Sequence, residues 1–251
     1  MSALELDSSW SIGGKPHGGY LLREMVRPAL DDAHPHPMTV SATYVASPDP
    51  GPADLVVERL RTGRRVAASS LHLRQGGEVR VAALLTAGCW TPDAAPHWSS
   101  PTGGPPGMAA LQDCPPTPPQ DPSGRRVGPL SHVDLRLDPA TAGWATGSPA
   151  GRAVVQGWVR WRDGRDVDVP DLLVMADVLP PVTFDLGLTG WVPTVELTVH
   201  LRGVPAPGWL RAVQSATLLQ DGWLDEECLL WDERGRLVAQ AHQLAGYRLP
   251  G

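Results

Sequence analysis

Asp177 stands in a stretch that is otherwise apolar, among Leu173, Val174, Met175, Val178 and Leu179. A carboxyl group drawn away from water has its pKa raised, and a carboxylate poised that way can take a proton from a water molecule or orient it. Far away in sequence, Gly18 and Gly19 open a second stretch with helical apolar spacing. The first amides of a helix lack an intrahelical partner and lie at the positive end of its dipole. Glycines there offer N–H donors that a developing oxyanion can approach closely. A base for water and donors for an oxyanion are the two requirements of hydrolysis at a carbonyl centre. Each feature also has a plain structural reading: an Asp in a helix is commonly a solvated charge, and a Gly pair commonly a tight entry into a helix.

Other chemistries are poorly provided for. Thr194 has no evident His partner to activate it as a nucleophile. Cys89, Cys114 and Cys228 are scattered, with no CxxC spacing, and read as structural thiols. His132, His200 and His242 lack metal-ligand spacing with Cys or carboxylates, so no metal is expected. The net charge of -6 over 251 residues argues against a nucleic-acid or anionic-membrane partner. The N-terminal residues have no basic region followed by an apolar run, and no apolar run approaches the roughly 20 residues of a membrane span, which leads us to expect a cytoplasmic protein.

The elements that must position these residues fall into two halves. Between Cys89 and Pro129 the chain turns to Pro, Gly and Ser, as in Cys114-Pro115-Pro116-Thr117-Pro118-Pro119, a density of proline that predicts a spacer and no helix or central strand. Expected units are therefore residues 1–90, a linker at 91–128, and residues 129–251. In the first, Leu21, Leu22, Met25 and Val26 predict one apolar helix face, followed by strands at 38–45, 55–60, 65–73 and 79–85. In the second, strands at 133–137 and 153–162 precede a helix from Pro170-Asp171 to Leu179, stopped by Pro180-Pro181, and four more strands follow at 194–201, 210–219, 223–231 and 237–248. Thr39-Val40-Ser41-Ala42-Thr43 superposes on Thr194-Val195-Glu196-Leu197-Thr198, and the Pro/Gly turns that follow superpose as well. A repeat of half the chain indicates a fused duplication, and two such sheets joined edge to edge would remove an exposed edge from each. The ten tryptophans read mostly as sheet packing, Trp10 and Trp191 included.

Several motifs resemble those of the acyl-CoA thioesterase II-like family. Gly14-Lys15-Pro16-His17-Gly18-Gly19-Tyr20 is similar to its Gly-Gly motif at the first helix; Met175-Ala176-Asp177, Pro193-Thr194-Val195-Glu196 and Ala241-His242-Gln243 resemble its acidic, hydroxyl and glutamine positions. The resemblance spans nearly the whole chain apart from the linker. It implies an α+β tandem (double) hotdog fold, two long helices each wrapped by an antiparallel sheet. It further implies hydrolysis of an acyl-CoA or acyl-carrier thioester, coenzyme A entering only as part of the substrate, no separate cofactor, and a homodimer or homotetramer. The roles it implies are Asp177, Thr194 and Gln243 around the attacking water, with Gly18, Gly19, His17 and Tyr20 toward the substrate. Gln240 and Gln243 differ in strand parity, so one of them alone can face a cleft; Gln243 is preferred. Lys15, Arg64 and Arg65 read either as solvent-facing charges or as partners for coenzyme A phosphates. At the position aligned with Asp177 the first half has Leu22, so one site is expected rather than two. Two alternatives carry the same fold: a non-catalytic acyl-binding module, and an enoyl-thioester hydratase, whose sites pair an Asp with a loop His that has no clear counterpart beside Asp177 in the sequence.

Overall fold

The computed structural model describes residues 2–100, 103–121 and 124–247. Alternation of apolar and polar residues draws the strands into one antiparallel sheet. They are β1 (Ser2–Leu6), β4 (His36–Tyr44), β5 (Gly51–Thr62), β6 (Val66–Gln75), β7 (Glu78–Gly88), β8 (Val133–Leu137), β9 (Val154–Trp161), β10 (Thr194–Leu201), β11 (Leu210–Ser215), β13 (Trp223–Trp231) and β14 (Leu237–Gly246). The short β12 (Leu219–Gln220) pairs with β13, while β2 (Ser11–Ile12) and β3 (Lys15–Pro16) form a separate ribbon. The order is β1-β5-β6-β7-β4-β10-β14-β13-β11-β9-β8. The expected strand 210–219 ends at Ser215, and Arg248, at the end of the last expected strand, lies outside the described residues.

The halves meet where β4 pairs with β10, Ala42 opposite Leu197. That pair maps onto itself when Thr39 is superposed on Thr194, so the register is symmetric about the duplication. Val40, Ala42, Leu197 and Val199 are buried on the inner face of this seam, while on the other face Ser41 and Thr198 are hydrogen-bonded at 2.7 Å. A seam apolar inside and hydrogen-bonded outside keeps the register from slipping by one residue, which would turn every side chain to the wrong face.

Helix α1 (Gly18–Val26) buries Tyr20, Leu21, Leu22, Met25 and Val26, and is continued by one 3-10 turn at Arg27–Ala29. His17 caps its start, accepting the Tyr20 amide through Nδ1. The two long helices that the resemblance implied are not there: α2 (Leu172–Met175) has 4 residues. The helix ends at its C-cap Ala176, ahead of Pro180 and Pro181, and these two keep it from resuming: in a continuing helix they would donate to the carbonyls of Ala176 and Asp177, and proline has no N–H to give. The chain turns tightly instead, Asp177 donating to Val174 at 3.1 Å.

The two helices run antiparallel. At one end Arg27 Nη2 bridges Asp168 and Asp171, at 2.9 and 2.8 Å. At the other, Gly19 lies directly against α2: a Cβ built on it would stand 2.3 Å from the Leu173 carbonyl oxygen and 2.9 Å from Asp177 Cβ. The linker is pinned along the second half, its Ala109 amide donating to Asp138 and its Ala109 carbonyl accepting from Trp158, at 2.9 and 3.0 Å. Trp10 packs in the core, stacked on Tyr20; Trp191, expected to pack likewise, is 48% exposed.

Because backbone and not a flexible side chain faces Gly19, Gly19→Ala must push the helices apart. Urea unfolding is expected to give a loss of about 1–3 kcal/mol, the usual cost of overpacking a tight interior. A variant as stable as the parent would mean that the helices are not in this contact.

Candidate active site

The end of α2 and the start of α1 bring a carboxylate onto a helix N-terminus. Asp177 Oδ2 accepts the Gly19 amide at 2.6 Å, and His17 Nε2 lies 2.7 Å from the Asp177 carbonyl and 3.3 Å from Oδ2. Since Nδ1 of His17 accepts from Tyr20, its proton sits on Nε2 and is given to the Asp177 carbonyl, the acceptor that Pro181 leaves free. The Asp177 side chain is 12% exposed, and burial raises its pKa, partly offset by His17 and by the Gly19 hydrogen bond. A hydrogen bond to a charged group contributes about 1.5–3 kcal/mol, and burial of an ion costs several; the upward direction says that burial wins.

This geometry amends the expectation for the glycines. Gly19 N–H is committed to Asp177 and is not open to a substrate, whereas Gly18 N–H has no partner among the described residues. Beside it is a group that the sequence reading did not single out. The Tyr44 hydroxyl is buried with no hydrogen-bond partner among the described residues, and burial together with the nearby Asp177 charge pushes its pKa well up. A Cβ on Gly18 would stand 3.0 Å from both this hydroxyl and Asp177 Oδ2, which places the two oxygens within about 6 Å of each other. A buried donor without an acceptor is expensive and calls for an explanation.

Thr194 and Gln243 come together in the second half. By strand parity Thr194 would share the outer face of β10 with Glu196 and Thr198. A bulge between Thr194 and Glu196 re-aims it, and its Oγ1 donates to Gln243 Oε1 at 2.9 Å. Gln243 in turn donates through Nε2 to Glu226, its cross-strand partner on β13. Glu226 is 2% exposed, also accepts the Val182 amide at 2.8 Å and is hydrogen-bonded by Gln214; burial raises its pKa, and the charge on Asp177 adds to the rise. Gln214, Glu226 and Gln243 thus form a polar row across three strands of an otherwise apolar inner face. Gln240 points the other way and accepts from Arg202 at 2.9 Å.

No hydrogen bond joins Asp177 to Thr194 or Gln243 among the described residues. A cavity of about 10 Å³, at the lower limit for one water, lies beside Gln243, lined by Ala176, Leu197, Gln214, Glu226, Cys228 and Ala241.

The remaining candidates are placed elsewhere. The Tyr20 ring is 3% exposed, stacks on Trp10 at 5.0 Å, and its hydroxyl accepts the Asp7 amide, so it is a core residue and offers nothing to a substrate. Lys15 pairs with Asp49 at the surface, and Arg64 and Arg65 are exposed in the β5–β6 turn. Leu22, aligned with Asp177, is fully buried in the core. The expectation that no loop His stands beside Asp177 is corrected: His17 does, but both its ring nitrogens are committed.

Comparison with known proteins bears on the family and the fold. A family model described as the acyl-CoA thioesterase N-terminal domain matches residues 6–88, and one described as the acyl-CoA thioesterase C-terminal domain matches residues 111–247. An uncharacterized protein of Mycobacterium tuberculosis is 34% identical over 261 residues, covering 96% of this chain and 89% of its own. The crystal structure of a candidate thioesterase II from Thermobifida fusca is 33% identical with a TM-score of 0.88, covering 98% and 92% of the two chains. A protein with a hotdog fold from Alicyclobacillus acidocaldarius, 20% identical over 99% and 93% of the two chains, has a TM-score of 0.84. The fold is therefore a hotdog fold, and the chain belongs to the acyl-CoA thioesterase family of thioester hydrolases.

Proposed function

We propose that this double-hotdog chain hydrolyses an acyl-CoA thioester at one site, with Asp177 as the base for an attacking water. The observation that carries the reading is the Asp177 carboxylate, nearly dry, fixed by Gly19 N–H and faced by the unpaired Gly18 amide and Tyr44 hydroxyl. Water adds to the thioester carbonyl carbon as Asp177 takes its proton. The oxyanion accepts hydrogen bonds from Gly18 N–H and Tyr44 O–H. Collapse breaks the C–S bond, and the proton held by Asp177 passes to the departing thiolate, releasing acid and thiol. Thr194 holds the water on its other side, supported by Gln243. Fixed donors in a dry site act without reorganising as charge develops, which is why this arrangement favours the transition state.

Proximity of His17 to Asp177 favours a second reading, hydration of an enoyl thioester. It is the weaker, since Nδ1 holds Tyr20 N–H and Nε2 the Asp177 carbonyl, so the ring has no free site for proton transfer. Incubation with an enoyl-CoA separates the two: loss of the enoyl absorbance without thiol release would favour hydration.

Asp177→Asn is expected to lower kcat for thiol release by a factor of about 10² or more. The base works only when ionised, and burial raises its pKa, so in the parent the rate falls with decreasing pH from above the ordinary carboxylate range. That limb should vanish in the variant. The stability sign is opposite: a buried carboxylate with a raised pKa costs stability above that pKa and the cost is relieved as pH falls through it, so the Asn variant should melt no lower at neutral pH. An unchanged pH limb in the variant removes Asp177 as the base.

Tyr44→Phe deletes a hydroxyl that has no partner, and is expected to leave the melting temperature unchanged or raised while kcat falls by about 10²-fold. Full turnover in this variant takes Tyr44 out of the oxyanion site.

A further inference from the structure

We infer that Glu226 is a positioning residue that sets which way round the Gln243 amide stands, and thereby which way the Thr194 hydroxyl points its proton. This rests on the hydrolytic reading above. Glu226 sits on the inner face of β13, with Val182 N–H on Oε1 and Gln243 Nε2 on Oε2. An acceptor in that place selects the NH2 side of the Gln243 amide, which turns its carbonyl oxygen to Thr194. A carbonyl can only accept, so Thr194 must donate to it, at 2.9 Å. The lone pairs of Thr194 Oγ1 then remain for the water. A water that gives one proton to Thr194 and the other to Asp177 keeps its own lone pairs for the carbonyl carbon. Were the amide reversed, Thr194 would accept from Gln243 and offer its proton to the water, tying up one of the water's two lone pairs, lowering its nucleophilicity and leaving its second proton without this acceptor.

The polarity of the whole chain is therefore fixed at its buried end. The Val182 amide is a main-chain donor that cannot be reversed, and it holds the Glu226 carboxyl from the far side.

Glu226→Gln keeps the shape but not the polarity. Val182 N–H claims the oxygen of the introduced amide, whose NH2 then faces Gln243 and forces that side chain to turn over. Thiol release from acyl-CoA is expected to fall in kcat on the order of tenfold to a hundredfold with KM unchanged. Adding Gln243→Glu restores an acceptor toward both neighbours, with the carboxylate moved one strand over, and the double variant should recover kcat at least tenfold over Glu226→Gln alone. A role confined to anchoring Val182 would not be rescued from β14. Unchanged kcat in Glu226→Gln, or no recovery in a double variant that melts like the parent, overturns the inference.

Asp177→Asn measured alongside keeps the two claims apart. A dead Asn variant with a normal Glu226→Gln variant rejects Glu226 alone, and an active Asn variant rejects the base assignment whatever Glu226 does. Independently of turnover, the side-chain 15NH2 signal of Gln243, assigned by its loss in Gln243→Glu, should exchange slowly with solvent and shift strongly in Glu226→Gln. A signal that the substitution leaves in place contradicts the inference even where no turnover is seen.

Discussion

The start of α1 and the end of α2 approach until the Gly19 backbone touches the Leu173 carbonyl, and the site is a consequence of that contact. Any side chain at residue 19 would hold the helices apart. With none there, the Gly19 amide reaches the Asp177 carboxylate, His17 reaches the Asp177 carbonyl, and the positive end of α1 stabilises a negative charge supplied by the other half of the chain. A helix N-terminus that could have bound a substrate anion binds a carboxylate of the chain itself. In the proposed mechanism the oxyanion therefore falls to the next donor out, Gly18 N–H, and to Tyr44.

From the other side, α2 ends after one turn and Pro181, having no N–H, cannot serve the Asp177 carbonyl as a helical donor; His17 supplies that hydrogen bond instead. The shortness of α2 is thus part of how the carboxylate is aimed. The inner face of the sheet makes a matching exception to its own rule: Gln214, Glu226 and Gln243 break an apolar surface, and each is satisfied by a neighbour, which is the condition under which buried polar groups persist.

Much of this was legible in the residues. β8, β10 and β13 have the limits that alternation predicts, the symmetric seam at Ala42–Leu197 follows from the superposition of Thr39 on Thr194, and Asp177 stands out as one charge in an apolar run. What was not legible depends on contacts distant in sequence. Nothing local to Tyr44, at the end of a strand, says that its hydroxyl will meet Asp177. The bulge that turns Thr194 inward has no signature in Thr194-Val195-Glu196, and the pairing of His17 with Asp177 spans the whole linker. Glu226 did leave a signal: it shares parity with Leu224, Cys228 and Leu230, and a glutamate at an inward position of a strand needs a partner to explain it.

Direct attack of water, with no acylated side chain, is the centre of this account and can be observed in one turnover. With enzyme in excess over an acyl-CoA in 18O-enriched water, the released acid should carry one 18O and the protein should keep its mass throughout. An acyl group found on Thr194 or Asp177 during the turnover, or an acid free of label, would contradict it.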